Sequence, residues 1–393
     1  MPEALIVSAV RTPIATSYKG SLRETAPETL ATLVVTEAVR RSGLAPSDFD
    51  DVILAEALAG GGDLARYAAV AAGMPRVPGQ AVNRHCAGSL TAVGNAAAAV
   101  RSGMEHAVIA GGTHSYSLNP SLMSRVPGST DTVDGGRPTF PYYTDETYGP
   151  GDDDTTLSVG WNVALERGLS RDEMDRWALR SHQRAVAAID AGQFADELVP
   201  VPVELDGEQR LFASDEHPRR SSTLEKLASL KPLHPEIEGF AITAGNASGV
   251  NDAAAALAVV SDELATEQGL VPLARIRAWA AVGVPPHLTG LGAIDAAELV
   301  LKRAGLAAAD VDLWEINEAF ASVPVAAVRH FGLDEDKVNP WGSGCSLGHP
   351  IAASGARMLT TLAHELRRRG RGIAVATMCA AGGQGGAVVL EAV

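Results

Sequence analysis

The chain contains its own echo, and that constrains its fold more than any composition statistic. Residues 43–50 read Gly-Leu-Ala-Pro-Ser-Asp-Phe-Asp, and residues 305–312 read Gly-Leu-Ala-Ala-Ala-Asp-Val-Asp. The offset, 262 residues from Gly43 to Gly305, also carries Glu56 onto Glu318. Each copy follows an apolar-periodic helix, Leu30 to Arg41 and Ala296 to Ala304, that closes at a Gly as a C-cap requires. Each is followed by an apolar strand, Val52–Ala55 and Leu313–Ile316. Further on, Cys86-Ala87-Gly88-Ser89-Leu90 opens an Ala-rich helix ending near Gly103. The strand Ala107–Ala110 then enters Gly111-Gly112. In the second half Gly348-His349-Pro350 precedes a helix from Ala352 to Arg369. A strand from Ile373 to Met378 then enters Cys379-Ala380-Ala381-Gly382-Gly383. A repeated order of this length indicates two duplicated βαβ-type halves. Their strands, buried on both faces, are expected to be mostly parallel.

Residues 119–249 lie between the halves and lack the pattern. Asn119 to Asp154 is rich in Pro, Gly, Ser and Asp and reads as loop. A helix follows, with Ser170 and Glu173 as its capping box and apolar positions through Met174, Trp177, Ala178, Ala185 and Ile189. The segment Arg219-Arg220-Ser221-Ser222-Thr223 is basic and hydroxyl-rich. The domain reading is therefore an N-terminal core over 1–118 with about 250–269, an inserted cover over 119–249, and a C-terminal core over 270–393.

Charge limits the partners. With 32 basic against 47 acidic residues, the net charge of −15 disfavours nucleic acid and anionic membranes. Three scattered cysteines form neither a disulfide framework nor a zinc pattern, so no metal is expected and a reducing compartment is. The N-terminal Ala4-Leu5-Ile6-Val7 reads as a strand rather than a secretory signal, and no apolar run spans a bilayer. The expectation is a soluble, cytoplasmic protein. No P-loop, GxGxxG or HExxH spacing occurs, which argues against nucleoside triphosphate, NAD and metalloprotease chemistry.

The reactive side chains fall at the turns of the duplicated frame. Cys86 stands at a helix N-terminus, where amide donors and the helix dipole favour a thiolate; a lone thiol is also commonly a packing residue. His349, between Gly and Pro, is placed to take a thiol proton. Cys379 heads a Gly-rich turn of the kind that aims backbone N–H groups at one point. Asn317 in Asn317-Glu318-Ala319-Phe320 is placed to fix a water or orient the histidine, or simply to form the turn. Two thiols and a histidine at related turns make a stronger signal than any one of them.

Taken together, these motifs resemble the thiolase family. The matching pieces are residues 83–90 (Asn-Arg-His-Cys-Ala-Gly-Ser-Leu), 181–185 (Ser-His-Gln-Arg-Ala) and 243–252 (Thr-Ala-Gly-Asn-Ala-Ser-Gly-Val-Asn-Asp). To these add 317–321 (Asn-Glu-Ala-Phe-Ala), 348–357 (Gly-His-Pro-Ile-Ala-Ala-Ser-Gly-Ala-Arg) and 379–385 (Cys-Ala-Ala-Gly-Gly-Gln-Gly), in family order over nearly the whole chain. The resemblance implies an α/β protein with two duplicated core domains in five α-β-α-β-α layers and an inserted loop domain. It implies coenzyme A and acyl-CoA as substrates, no permanently bound cofactor, and a homodimer or homotetramer.

Carried over, Cys86 is the acylated nucleophile and His349 its base. Cys379 is the acid/base at the α-carbon or the departing thiol. Asn317 holds a water for one oxyanion hole, and the backbone N–H groups of Cys86 and Ala381 form the other. Arg219 aligns with a residue near the adenine-nucleotide end of CoA, Ser248 with one that touches pantetheine, and Ala244 lies in the same loop. Arg219, Arg220, Lys226 and Lys231 supply a local basic patch for an anionic ligand. A carrier-protein ketoacyl synthase is the alternative enzyme, disfavoured by Cys379; a CoA-ester-binding subunit without catalysis is the alternative outside enzymes.

The chain departs from the family pattern in four places. Ala381 stands where many members have Gly, a strain of about 1 kcal/mol if the backbone there needs a positive φ. Residues 342–347 are Gly-Ser-Gly-Cys-Ser-Leu, with Cys345 as a packing residue. Thr155-Thr156-Leu157 replaces a short-chain signature, and Asn119 to Asp154 does not resemble the usual cover. Phe140, Tyr142, Tyr143 and Tyr148 in that cover are expected to line the acyl pocket, so that acetoacetyl-CoA is not the best substrate.

Overall fold

A computed structural model describes residues 2–59, 62–136 and 154–393. The four aromatics expected at the acyl pocket, Phe140, Tyr142, Tyr143 and Tyr148, lie outside the described residues.

The first half runs β1 (Ala4–Arg11), α1 (Pro27–Ser42), β2 (Asp51–Ala55), α2 (Leu64–Ala71), β3 (Gly79–Val82), α3 (Gly88–Ser102) and β4 (Ala107–His114). After the insertion, whose main helix is α4 (Arg171–Asp190), the half closes with β5 (Asn251–Ser261). The second half runs β6 (Ala274–Gly283), α5 (Gly292–Ala304), β7 (Leu313–Ile316), α6 (Ser322–Phe331), α7 (Ser354–Arg369), β8 (Ile373–Ala380) and β9 (Gln384–Glu391).

The echo is structural. Gly43 and Gly305 both end their helices in the left-handed region, with φ of 83° and 67°. In both copies an Asp then reaches back to a backbone N–H: Asp48 to Ala45 and Asp310 to Ala307, each at 2.8 Å. The strand order β7-β8-β9-β6-β1-β5-β4-β2-β3 repeats the same four-strand sequence on either side of a β6–β1 seam. Even the parallel β2–β3 pairing at Val52 and Gly79 has a counterpart in an isolated bridge between Trp314 and Val338.

Strand direction departs from the expectation. Among the described residues only β2 with β3 and β4, and β7 with β8, pair in parallel. The other core pairings are antiparallel. Burial on both faces comes from helices packed on both sides, so it carries no information about direction. The β8–β9 link, residues 381–383, is too short for a crossover and forces a hairpin. Gly382 and Gly383 take its positive φ values, 79° and 74°.

Side-chain alternation along the strands builds the layers. On β1, Leu5 and Val7 face an outer core with α1 and α2, while Ala4, Ile6 and Ala9 face an inner core. That inner core holds α3 and α7 between strands of both halves. The other outer core packs α5, α6 and α4 on the second half. The result is five layers, with α3 and α7 in the middle, so that both helix N-termini open at the joint between the halves.

The insertion is pinned by buried charge. Arg11 pairs with Glu197 at 2.5 Å and Asp215 at 2.8 Å, all three side chains about 1% exposed or less. Helix α4 starts at the expected box: Ser170 Oγ accepts the Glu173 N–H at 3.3 Å, and Glu173 accepts the Ser170 N–H at 2.9 Å. The stretch that reads as loop contains a hairpin, Leu122–Arg125 with Thr132–Gly136, whose described side chains are largely exposed. Exposure on both faces removes the apolar alternation by which such strands are recognised. Among the described residues, no helix is long and apolar enough to cross a membrane.

Candidate active site

Cys86 lies on a single 3₁₀ turn, His85–Ala87, that leads into α3. His85, just before it, has φ of 46°, a left-handed conformation uncommon for a non-glycine residue. Asn83 supports that turn by accepting the His85 N–H at 2.9 Å. The strained corner lifts Cys86 out of the helix and into a cavity of about 380 Å³.

That cavity brings together most of the residues singled out above. Cys86, His349, Cys379, Ala381 and Ser248 all line it. The backbone N–H groups of Ala381 and of Cys86 itself both point to the Cys86 sulfur. Ala381 is absent from the residues with positive φ; the turn's left-handed positions fall on Gly382 and Gly383. The alanine therefore carries no strain of that kind.

The histidine is oriented from behind. Gly348 has φ of 107°, and a Cβ there would lie 2.5 Å from the Asn251 side chain, so only glycine fits. Asn251 in turn accepts the His349 N–H at 3.0 Å. His349 Nδ1 lies 2.7 Å from Ser354 Oγ, whose own hydrogen goes to Pro350 O at 2.9 Å. With that hydrogen engaged, Ser354 accepts from the ring in the tautomer that carries its proton on Nδ1, which leaves the Nε2 lone pair free. Among the described residues that Nε2 has no partner.

Asn317 does not line the cavity. It is fully buried behind His349, its Nδ2 3.4 Å from Nδ1, its Oδ1 without a partner among the described residues. Its neighbour Glu318 is a buried carboxylate with four donors: Trp177 and Asn339 at 2.8 Å, Ser181 at 2.6 Å and the Cys345 N–H at 3.2 Å. Trp177 and Ser181 belong to α4, so Glu318 ties the insertion to the Asn317 turn. Cys345 itself is buried and lies outside the cavity lining.

Electrostatics correct one expectation. A helix N-terminus should lower the Cys86 pKa, yet burial pushes the thiol up to about 11, with the two backbone N–H groups opposing it. Burial likewise raises Cys379, helped by its neighbour Cys86, and pushes His349 down to about 3, with Arg357 adding to the effect. The resting pair is thus a neutral thiol and a neutral imidazole, not an ion pair, because the desolvated surroundings favour uncharged forms of both.

The loop Thr243–Gly249 closes one wall. Asn246 holds it to α4 through Asp175 at 2.9 Å, and Ser248 donates its N–H to Ala319 O at 2.8 Å. Ala244 is exposed and does not line the cavity. Leu233, Ser248 and Gly249 form part of the lining, and a Cβ on Gly249 would meet His217 Nε2 at 2.4 Å. Two residues beyond His217, Arg219 is anchored by its N–H to His182 Nδ1 at 3.2 Å, with its side chain exposed. The expected basic patch is smaller than its sequence. Arg220 is neutralised by Asp190 at 2.5 Å, and Lys226 is drawn to Ser221 O at 2.6 Å.

The family model "Thiolase, N-terminal domain" matches residues 4–263, and "Thiolase, C-terminal domain" matches residues 270–392. The chain belongs to the thiolase family. It is 39% identical over 394 residues to "Acetyl-CoA acetyltransferase" of Escherichia coli (strain K12), covering 100% of this chain and 99% of that protein. It is 42% identical over 408 residues to "3-oxoadipyl-CoA/3-oxo-5,6-dehydrosuberyl-CoA thiolase" of the same strain, covering 100% of both. Among solved structures, the Bacillus anthracis acetyl-CoA acetyltransferase superposes with a TM-score of 0.92 at 37% identity, covering 100% of this chain and 99% of that one. Human mitochondrial 3-ketoacyl-CoA thiolase gives 0.90 at 33%, with the same coverage. This thiolase is an acyl-CoA C-acyltransferase, the class to which these relatives belong.

Three residues of the site escaped the sequence reading of roles. Ser354 and Asn251 fall inside motifs quoted for the family, but only their contacts to His349 reveal a task. His114 ends β4 as a buried histidine. Its signal was available: a polar residue closing an otherwise apolar strand.

Proposed function

We propose that this thiolase cleaves a 3-ketoacyl-CoA with coenzyme A, or condenses two acyl-CoA esters in reverse, through an acyl-Cys86 intermediate. The observation that carries the proposal is the convergence of Cys86, His349, Cys379 and the Ala381 N–H on one cavity.

His349 Nε2, the free lone pair, takes the Cys86 proton as the sulfur attacks the keto carbonyl. A neutral thiol and imidazole exchange the proton during attack rather than before it. The N–H groups that reach the Cys86 sulfur are placed to stabilise the resulting oxyanion. Collapse breaks the bond between the α and β carbons. Cys379 protonates the departing α-carbon, leaving an acyl-CoA and an acylated Cys86. The second CoA thiol, deprotonated by Cys379, then takes the acyl group, and the released Cys86 thiolate recovers its proton from His349 Nε2. His349 Nε2 and a water held by Asn317 serve the thioester carbonyl whose enolate forms and collapses.

Coenzyme A enters past Leu233, Ser248 and Gly249, with its nucleotide end toward the exposed Arg219. Residues 119–249 form the cover of that path between cores 1–118 with about 250–269, and 270–393. β3, at one end of the sheet with Gln80 and Ala81 exposed, presents an edge unpaired among the described residues and suited to a second copy, which supports a homodimer or larger. The relatives' names run from acetyl-CoA to 3-oxoadipyl-CoA, so they leave the chain length open. A thiolysis assay over C4, C6, C8 and C12 3-ketoacyl-CoA esters tests the reading. Turnover with a maximum at or beyond C6 is expected; CoA-ester binding without turnover of any of them would refute it.

A further inference from the structure

A second cavity of about 280 Å³ adjoins the catalytic one, several times the roughly 30 Å³ a water occupies in the liquid. The same two chain segments border both. Leu58 and Tyr116 line the catalytic cavity, while their neighbours Ala59, Ser115 and His114 line the second. The His114 ring packs edge-on against Tyr116 with centroids 4.5 Å apart. His114 also lies within electrostatic reach of His349, so that protonating one ring disfavours protonating the other.

The second cavity is a built polar site. His114 is only 3% exposed, and its Nε2 has no partner among the described residues. A buried ring nitrogen left unpaired costs free energy unless something fills the role. Thr113, Ser115 and Asn119 add hydrogen-bonding groups around it, and Leu64 adds apolar surface. Among the described residues neither Lys nor Arg lines the cavity, and Glu28 brings a carboxylate to it. Burial holds His114 neutral, so it offers a hydrogen bond rather than a positive charge.

We propose that this cavity receives the far end of the acyl chain and selects 3-ketoacyl-CoA esters whose chain ends in an uncharged oxygen function. A hydroxyl suits His114 in either tautomer, since it both donates and accepts. A methyl end leaves the ring nitrogen unpaired, and a carboxylate end meets Glu28. The inference rests on the thiolase reading above and extends it to a substrate class.

The test compares kcat/KM for thiolysis of esters of six, eight and ten carbons, each made with a methyl, hydroxyl or carboxyl end. At the best length the hydroxyl ester should exceed the methyl ester about tenfold, the worth of one net hydrogen bond. The carboxyl ester should fall below both. His114→Leu should bring the hydroxyl-to-methyl ratio to about one, and Glu28→Gln should raise the carboxyl ester several-fold relative to the methyl ester. A wild-type enzyme that handles the methyl ester as well as the hydroxyl ester at every length overturns the proposal. So does an unchanged ratio in His114→Leu that keeps the wild-type melting temperature. If that variant does not fold, the wild-type ratio and Glu28→Gln decide alone. Failure of the wild type to thiolyse any ester, acetoacetyl-CoA included, would instead sink the thiolase reading and this inference with it.

Discussion

The two halves of the core have the same frame and different tips. β2-β4-β5-β1 and β7-β8-β9-β6 share order and pairing direction, and α3 and α7 occupy related places between them. Yet the turn before α3 carries the Cys86 thiol, and the turn before α7 carries the His349 imidazole, held by Ser354 and Asn251. At the strand ends, β8 brings Cys379 to the catalytic cavity, while β4 brings His114 to the neighbouring one. The difference teaches that the frame is fixed by burial and close packing, which tolerate few changes. The tips are set by what faces the joint, so one half could specialise in attack and the other in proton handling.

The sharpest way to break that division is to remove one tip at a time. His349→Ala takes away the base and an oxyanion donor, and thiolysis should fall at least 10²–10³-fold, about what one such donor contributes. Formation of the acyl-enzyme should slow in step. Cys379→Ala should instead retain partial acylation of Cys86 while losing exchange of α-protons on acyl-CoA in D₂O. Near-normal thiolysis by either variant would contradict the assignment.

A second comparison uses acid. Burial lowers the pKa of His114 and His349 to about 3, and of His182 to about 4. The unfolded chain binds these protons near pH 6.5 and the folded chain refuses them, so stability is full above that pH and is lost as pH falls toward 4. Each group contributes about 1.4 kcal/mol per pH unit in that window, about 4 kcal/mol for the three together. Urea melts at pH 7, 6 and 5 measure the slope. His114→Leu should flatten it by about 1.4 kcal/mol per pH unit below 6.5; a stability independent of pH over that range would contradict the burial argument.

The echoed glutamates separate frame from tip more finely. Glu56 accepts the Asp63 and Leu64 N–H groups at 3.2 Å and so, among the described residues, serves the start of α2. Glu318 gathers four donors beside Asn317. Glu56→Gln should cost about 1 kcal/mol of stability and leave kcat alone. Glu318→Gln should cost about 2–3 kcal/mol and lower kcat as well, because Asn317 loses its fixed neighbour. Equal effects on kcat would show that Glu318 only packs. The smallest effect belongs to Arg219→Ala: KM for CoA should rise a few-fold with kcat unchanged, in keeping with an exposed ionic contact of about 0.5–1 kcal/mol.

Much of this was legible in the sequence, and for physical reasons. Helix ends were readable because Gly43, Gly305 and Ser170 each satisfy a local backbone demand. The meeting of Cys86, His349 and Cys379 at one cavity was readable because all three stand at related turns of a repeated frame. Strand direction was not, since a strand such as β4, buried on both faces, reads alike whichever way its neighbour runs. Nor was the resting state of Cys86, because the helix terminus is a local feature, whereas the burial that outweighs it is set by a cavity whose lining reaches residues as distant in sequence as Phe320 and Ile351. The basic patch was overread for a related reason: Asp190, which neutralises Arg220, lies 30 residues away.

The central claim is that Cys86 carries the acyl group. Mass spectrometry of the enzyme incubated with acetyl-CoA and with longer acyl-CoA esters, followed by peptide mapping, tests it directly. The account predicts one acyl adduct per chain, on the peptide holding Cys86, absent in Cys86→Ala and discharged by free CoA. An adduct on Cys345 or Cys379, or turnover by Cys86→Ala, would contradict it.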